Sequence, residues 1–208
     1  FWEQARELQV LTIAANFAEV WLAKEGHQGK VGINFLRKVE RPLVYALYGA
    51  MLAGASYVVV GAGNPSEVPA LIRTLSRHES ASIALKVYGT RSGSGDFRVM
   101  IRPDSLGAGR AGALEQPKFL AIVSSFTLAQ ALASNPETRP YGFVVEGPEA
   151  GGHSAPPAKM RFDAQGQPVL IYTEEDSADI GAIAKLGLPF WLAGSYGRPE
   201  RIRQALAM

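Results

Sequence analysis

Nine consecutive residues concentrate the groups in this sequence that could do chemistry: Glu146-Gly-Pro-Glu149-Ala-Gly151-Gly152-His153-Ser154. An apolar run ends in a carboxylate, a glycine-rich turn follows, and a histidine stands at its far end. Histidine titrates near pH ~6.5 when unperturbed, so at neutral pH it can serve as a general base or a hydrogen-bond donor. Gly151 and Gly152 deny His153 a part in packing a helix or strand face, and it is the candidate catalytic residue. His27 and His78 read instead as surface or structural residues. A second constellation is Leu192-Ala-Gly194-Ser195-Tyr196-Gly197-Arg198-Pro199, an apolar run entering two glycines before a helix that opens at Pro199. Such a turn leaves N–H groups free to bind a phosphate. An ordinary strand-to-helix turn looks similar, so this second signal is weak when taken alone.

The other strand ends, read in order, are Asn16, Asn34, Gly61 to Gly63, and Ser124 with Ser125. All are small or polar. Amides and hydroxyls can hydrogen-bond a ring or a sugar-alcohol chain, and bare glycines let backbone approach a phosphate. Turns require such residues anyway, which explains any one position; their recurrence at six strand ends argues for a ligand. Other chemistries find little support. Three scattered histidines give no metal-ligand spacing, and neither a GxSxG elbow nor a GxxxxGK[ST] loop is present. Glu174, Glu175 and Asp176 read as the acidic start of a helix. The Gly/Ser run at 89–95 reads as a hairpin tip.

The elements that must position these residues alternate. Strands are expected at 10–14, 30–35, 57–60, 118–123, 143–146 and 189–193, and helices at 17–24, 42–53, 65–77, 128–133, 176–186 and 199–207. The strands are continuously apolar, as in a parallel sheet buried on both faces. Six β/α units imply an α/β fold, either doubly wound or a (β/α)8 barrel, with ligands at the carboxyl ends of the strands. Segments 79–117 and 154–175 break the rhythm and read as rim excursions on one domain spanning 1–208. Alternatively, one of two β runs at 83–88 and 97–101 is a further barrel strand.

Composition narrows the classes. With 47% hydrophobic and 19% charged residues the chain can bury a core, and a net charge of +2 is too slight for a nucleic-acid or membrane surface. The absence of cysteine excludes disulfides, thiolate metal sites and a cysteine nucleophile. It also fits a cytoplasmic location. No apolar run approaches the ~18 residues of a membrane span. The chain starts at Phe1 and stops at Met208 inside a helical pattern, so a segment of a longer polypeptide is expected.

VGINF at 31–35, VVVGAGNP at 58–65, FVVEGPEAGGHSAPP at 143–157 and GLPFWLAGSYG at 187–197 together resemble the nitronate monooxygenase family, the 2-nitropropane dioxygenases. The likeness covers nearly the whole chain. It implies an FMN-dependent (β/α)8 TIM-type barrel in which Asn34 contacts the flavin ring region and Gly151 and Gly152 approach the phosphate or ribityl chain. Gly194, Ser195, Tyr196 and Gly197 would hold the phosphate, and His153 would be the active-site base. Gly61, Gly63, Ser124 and Glu146 complete the expected cofactor-binding set. The substrates would be an alkyl nitronate or nitroalkane and O2, with no metal. The family's first and last strands are absent, leaving about six of eight units, and Ala-Gly-Ser stands where Ala-Gly-Gly is usual. Weak FMN binding by this segment follows. Two competing expectations are an FMN-dependent enoyl reductase, which would consume NAD(P)H, and a non-catalytic barrel segment of a multi-enzyme chain.

Overall fold

Residues 6 to 25 contain neither glycine nor proline, and a single helix, α1 (Arg6–Ala23), fills nearly all of that stretch. The expected strand at 10–14 is therefore helix. A five-residue apolar run cannot be told from a helix segment by composition, and here the uninterrupted helical period through Phe17 and Val20 decides. Those two side chains pack against Ala50, Ala53 and Ala55. A computed structural model describes residues 4–89, 96–107, 112–151, 155–157, 159–194 and 196–207. Internal contacts divide the chain into two units, Phe1–Phe119 and Leu120–Met208.

In the first unit, β1 (Gly32–Leu36) is followed by α2 (Glu40–Leu52) and β2 (Tyr57–Gly61), with β1 and β2 parallel and Asn34 opposite Val59. Every residue of α2 from Leu43 to Met51 is buried, as a helix that is apolar all round must be. Gly49 lets α1 cross it closely, because a Cβ there would overlap the carbonyl of Ile13. After α3 (Val68–Leu75) come β3 (Ala81–Ala84) and β4 (Arg98–Ile101), which pair antiparallel with Ile83 opposite Val99. Neither run provides a further parallel strand. Ile83, Val99 and Ile101 are fully buried, and the Tyr45 hydroxyl donates to the Met100 carbonyl at 2.8 Å.

His78 closes this core. Its backbone is left-handed (φ +58°), and Nε2 donates to the Gly112 carbonyl at 3.0 Å. The Tyr48 hydroxyl stands 2.6 Å from Nδ1. Burial, with Asp104 nearby, pushes the Tyr48 hydroxyl up to about 12, so it keeps its proton and donates it to the ring. The structural reading of His78 thus accounts for both its nitrogens.

In the second unit, β5 (Lys118–Val123) starts at the boundary and leads into α4 (Phe126–Ser134), whose N-cap is Ser125. β6 (Gly142–Glu146) follows, then a small hairpin of β7 (Arg161–Phe162) and β8 (Pro168–Val169). α5 (Ile180–Ala184), β9 (Phe190–Ala193) and α6 (Pro199–Leu206) complete the unit. β6 runs parallel to both β5 and β9, with Leu120 opposite Gly142 and Glu146 opposite Ala193. The helix expected over 176–186 is instead a 3-10 turn at Glu174–Asp176 and the short α5. Asp176 folds back in a capping box with Thr173, and Asp179 caps α5 by accepting from the Ala182 N–H at 2.9 Å. Of the acidic cluster, then, only Asp176 caps, and it caps the 3-10 turn; the helix that follows is capped by Asp179 and Glu175 pairs with Lys159. The chain is an α/β protein with parallel strands, and among the described residues no helix is long and apolar enough to cross a membrane.

Candidate functional site

The carboxyl ends of β6 and β9 meet in the second unit. Glu146 is the last residue of β6, and the next N–H, of Gly147, donates to the Ala193 carbonyl at 3.1 Å, extending the ladder by one step. A tight turn follows, closed by the Ala150 N–H on the Gly147 carbonyl at 3.0 Å. On β9, Gly194 takes φ +105°, and a Cβ there would lie 3.0 Å from the Ala150 nitrogen. Both conditions admit glycine alone. Glu149 and Arg201 form an exposed ion pair at 3.2 Å, linking the β6 turn to the first turn of α6.

Two cavities share this edge. One, of about 250 Å³, is lined by Glu146, Gly147, Ser177, Gly194, Tyr196 and Arg201. The other, of about 150 Å³, is lined by Ser124, Glu146, Pro156 and Tyr172 among others, with the Tyr172 hydroxyl donating to the Ala155 carbonyl at 2.9 Å. Glu146 borders both and is half-buried, and burial holds its carboxyl above the ordinary 4.5. Among the described residues it has no hydrogen-bond partner. A carboxyl in that setting is easier to protonate than a surface one.

Of the residues expected at a site, Ser124, Glu146, Gly194 and Tyr196 line these cavities, and Gly151 and Gly197 are exposed beside them, where a Cβ would meet nothing. Gly152, His153 and Ser195 lie outside the described residues. Asn34 is not at a strand end: it sits in the middle of β1, exposed, while Ile33 and Phe35 pack toward Val20. Asn16 lies within α1, its amide donating to the Thr12 carbonyl at 2.9 Å. Gly61 ends β2, its carbonyl accepting from the Arg37 N–H at 2.7 Å, and Gly63 (φ +143°) lies against the Arg37 side chain. Ser125 serves α4 as its cap.

Sequence reasoning missed Arg201 and Tyr172. Arg201 had a signal, since it falls in the first turn of the helix after the glycine turn; Tyr172 had none. Among the described residues, no group of three His, Asp or Glu could hold a metal. No model of a known protein family matches the chain, and no curated protein matches it.

Proposed function

We propose that the chain is part of an FMN-dependent oxidoreductase of the nitronate monooxygenase kind, its parallel strands belonging to a partial (β/α)8 barrel. The observation that carries this reading is the meeting of the β6 and β9 turns at Gly194 and Ala150 beside the half-buried Glu146. The residues fit the phosphate end of a flavin. Gly197 leaves backbone uncovered, Gly194 brings the β9 turn against Ala150 at the cavity edge, and Arg201, paired with Glu149, lies on the cavity wall. A volume of about 250 Å³ is below the roughly 300–1,000 Å³ of a whole-ligand pocket. It suits the ribityl phosphate tail.

Bound there, FMN would supply the redox chemistry by which an alkyl nitronate and O2 give a carbonyl compound and nitrite. The chain's own part is to orient and to move protons. Glu146 offers a carboxyl with raised proton affinity, and His153 removes the α-proton when the substrate is the neutral nitroalkane. Ser124 and Tyr196 offer hydroxyls at the cavity walls.

The visible absorption of the purified protein with added FMN, followed by turnover assays, tests this. Weak flavin binding, saturable only with excess FMN, is expected of this segment, and under saturating FMN His153→Ala should lose at least about a hundredfold on the neutral nitroalkane while largely sparing the pre-formed nitronate. Equal losses on both would remove the base assignment. Rapid anaerobic reduction of the flavin by NAD(P)H would move the reading to an enoyl reductase.

A further inference from the structure

The first unit has a larger cavity of its own, of about 750 Å³, where β1 and β2 end. Arg37 and Glu40, both on its lining, are matched charges. Arg37 is nearly buried and meets Glu40 and Glu67, each at 3.3 Å, and the Ala84 carbonyl at 3.0 Å. Glu67 also receives Arg98 at 2.8 Å. Glu40 in turn accepts from the Lys86 N–H at 2.7 Å, which fixes the chain leaving β3 against the first turn of α2. The rim differs. Lys38 and Lys86 line the same cavity, both exposed, and neither ammonium has a carboxylate partner among the described residues. Tyr88 is 82% exposed, and its ring lies 5.1 Å from the Lys86 ammonium.

We propose that this cavity binds a nucleoside phosphate, with the base stacked on Tyr88 and the phosphates between Lys38 and Lys86. Each part of the site selects one part of such a ligand. The Tyr88 face not covered by Lys86 is a stacking platform for a planar base, and two ammoniums without carboxylate partners among the described residues favour a polyanion. Arg37, which lines the cavity, is already matched by Glu40 and Glu67 and leaves the phosphate to the two lysines. A concave site of this volume takes a small ligand, not a polymer, and the net charge of +2 agrees. The proposal does not rest on the flavin reading, since Lys38, Lys86 and Tyr88 have no part in it, although Gly63 of the expected flavin set borders the same cavity.

Calorimetric titration of the full chain with ADP, with adenosine and pyrophosphate as separate probes, tests it. ADP is expected to bind more tightly than either fragment and to weaken as salt is raised. The double variant K38A/K86A should lose about tenfold, and Tyr88→Ala a similar factor. All three side chains are exposed, so unchanged thermal unfolding of the variants verifies the fold, and Lys185→Ala in the second unit should bind as the parent does. No ADP binding at millimolar concentration, or equal binding by the variants, overturns the proposal. Competition between FMN and ADP for the same heat also overturns it, because it would make the cavity part of a flavin site.

Discussion

The two units spend their polar groups differently. In the first, a helix buried on all sides sits under a charged cluster whose members are matched, Arg37 with Glu40 and Glu67, and Glu67 with Arg98. In the second, α6 buries no residue and α5 buries only Ile183, yet Glu146 stands half-buried at a strand end without a partner among the described residues. Apolar burial gives stability and matched charges avoid the penalty of an unpaired one, whereas an unmatched half-buried carboxyl lowers stability and is a candidate for chemistry. With the function proposed above, this contrast leads us to expect greater stability in the first unit and the chemistry in the second.

The sharpest way to break that contrast is Gly49→Ala. Alanine gains about 1 kcal/mol of helix propensity over glycine. The added Cβ, however, meets the Ile13 backbone carbonyl, which can move only if α1 moves. A net loss of about 2 kcal/mol is expected in chemical denaturation. A neutral result would mean that the crossing of α1 and α2 is loose, and that the first unit is not the stable one.

Gly194→Ala comes next. Its left-handed backbone and the nearness of Ala150 should cost about 1–3 kcal/mol. If the division of labour holds, the loss falls on the second unit, seen as faster hydrogen exchange in β6 and β9 with α2 unaffected. Uniform loss across both units would merge them into one cooperative block.

The smallest effect is expected from Glu146→Gln. A carboxyl whose folded affinity for protons exceeds its unfolded affinity contributes stability at low pH and loses it as pH climbs from the ordinary 4.5 through the raised folded value. The glutamine variant should therefore match the parent below about pH 4 and be slightly more stable at neutral pH, by about 0.5 kcal/mol or less. Destabilisation at neutral pH would show instead that the carboxylate has a stabilising partner. In that case the second unit would resemble the first.

Local chemistry made much of this legible. The run at 118–123 matches β5 residue for residue, and 143–146 falls inside β6, because apolar β-type residues there are bounded by proline, glycine and serine. VLTIA at 10–14 misled, since its residues suit a strand and only the absence of any breaker up to residue 25 betrays the helix. With that run a helix, the parallel strands are fewer than the β/α rhythm implied. The glycine turn at 194 was legible as a turn, but its contact with Ala150 depends on a pairing of distant strands that no local pattern encodes. The same holds for Arg37 and Glu67, thirty residues apart.

The clasp of His78 between Tyr48 and the Gly112 carbonyl has a practical side. A buried imidazole N–H held by a carbonyl exchanges slowly with solvent, so its proton should stand as a resolved downfield NMR line, remote in sequence from the ends of β6 and β9. The first unit thereby carries its own internal gauge. Ligand titrations in either unit can be followed while that line reports, in the same spectrum, whether the core of the first unit has stayed intact.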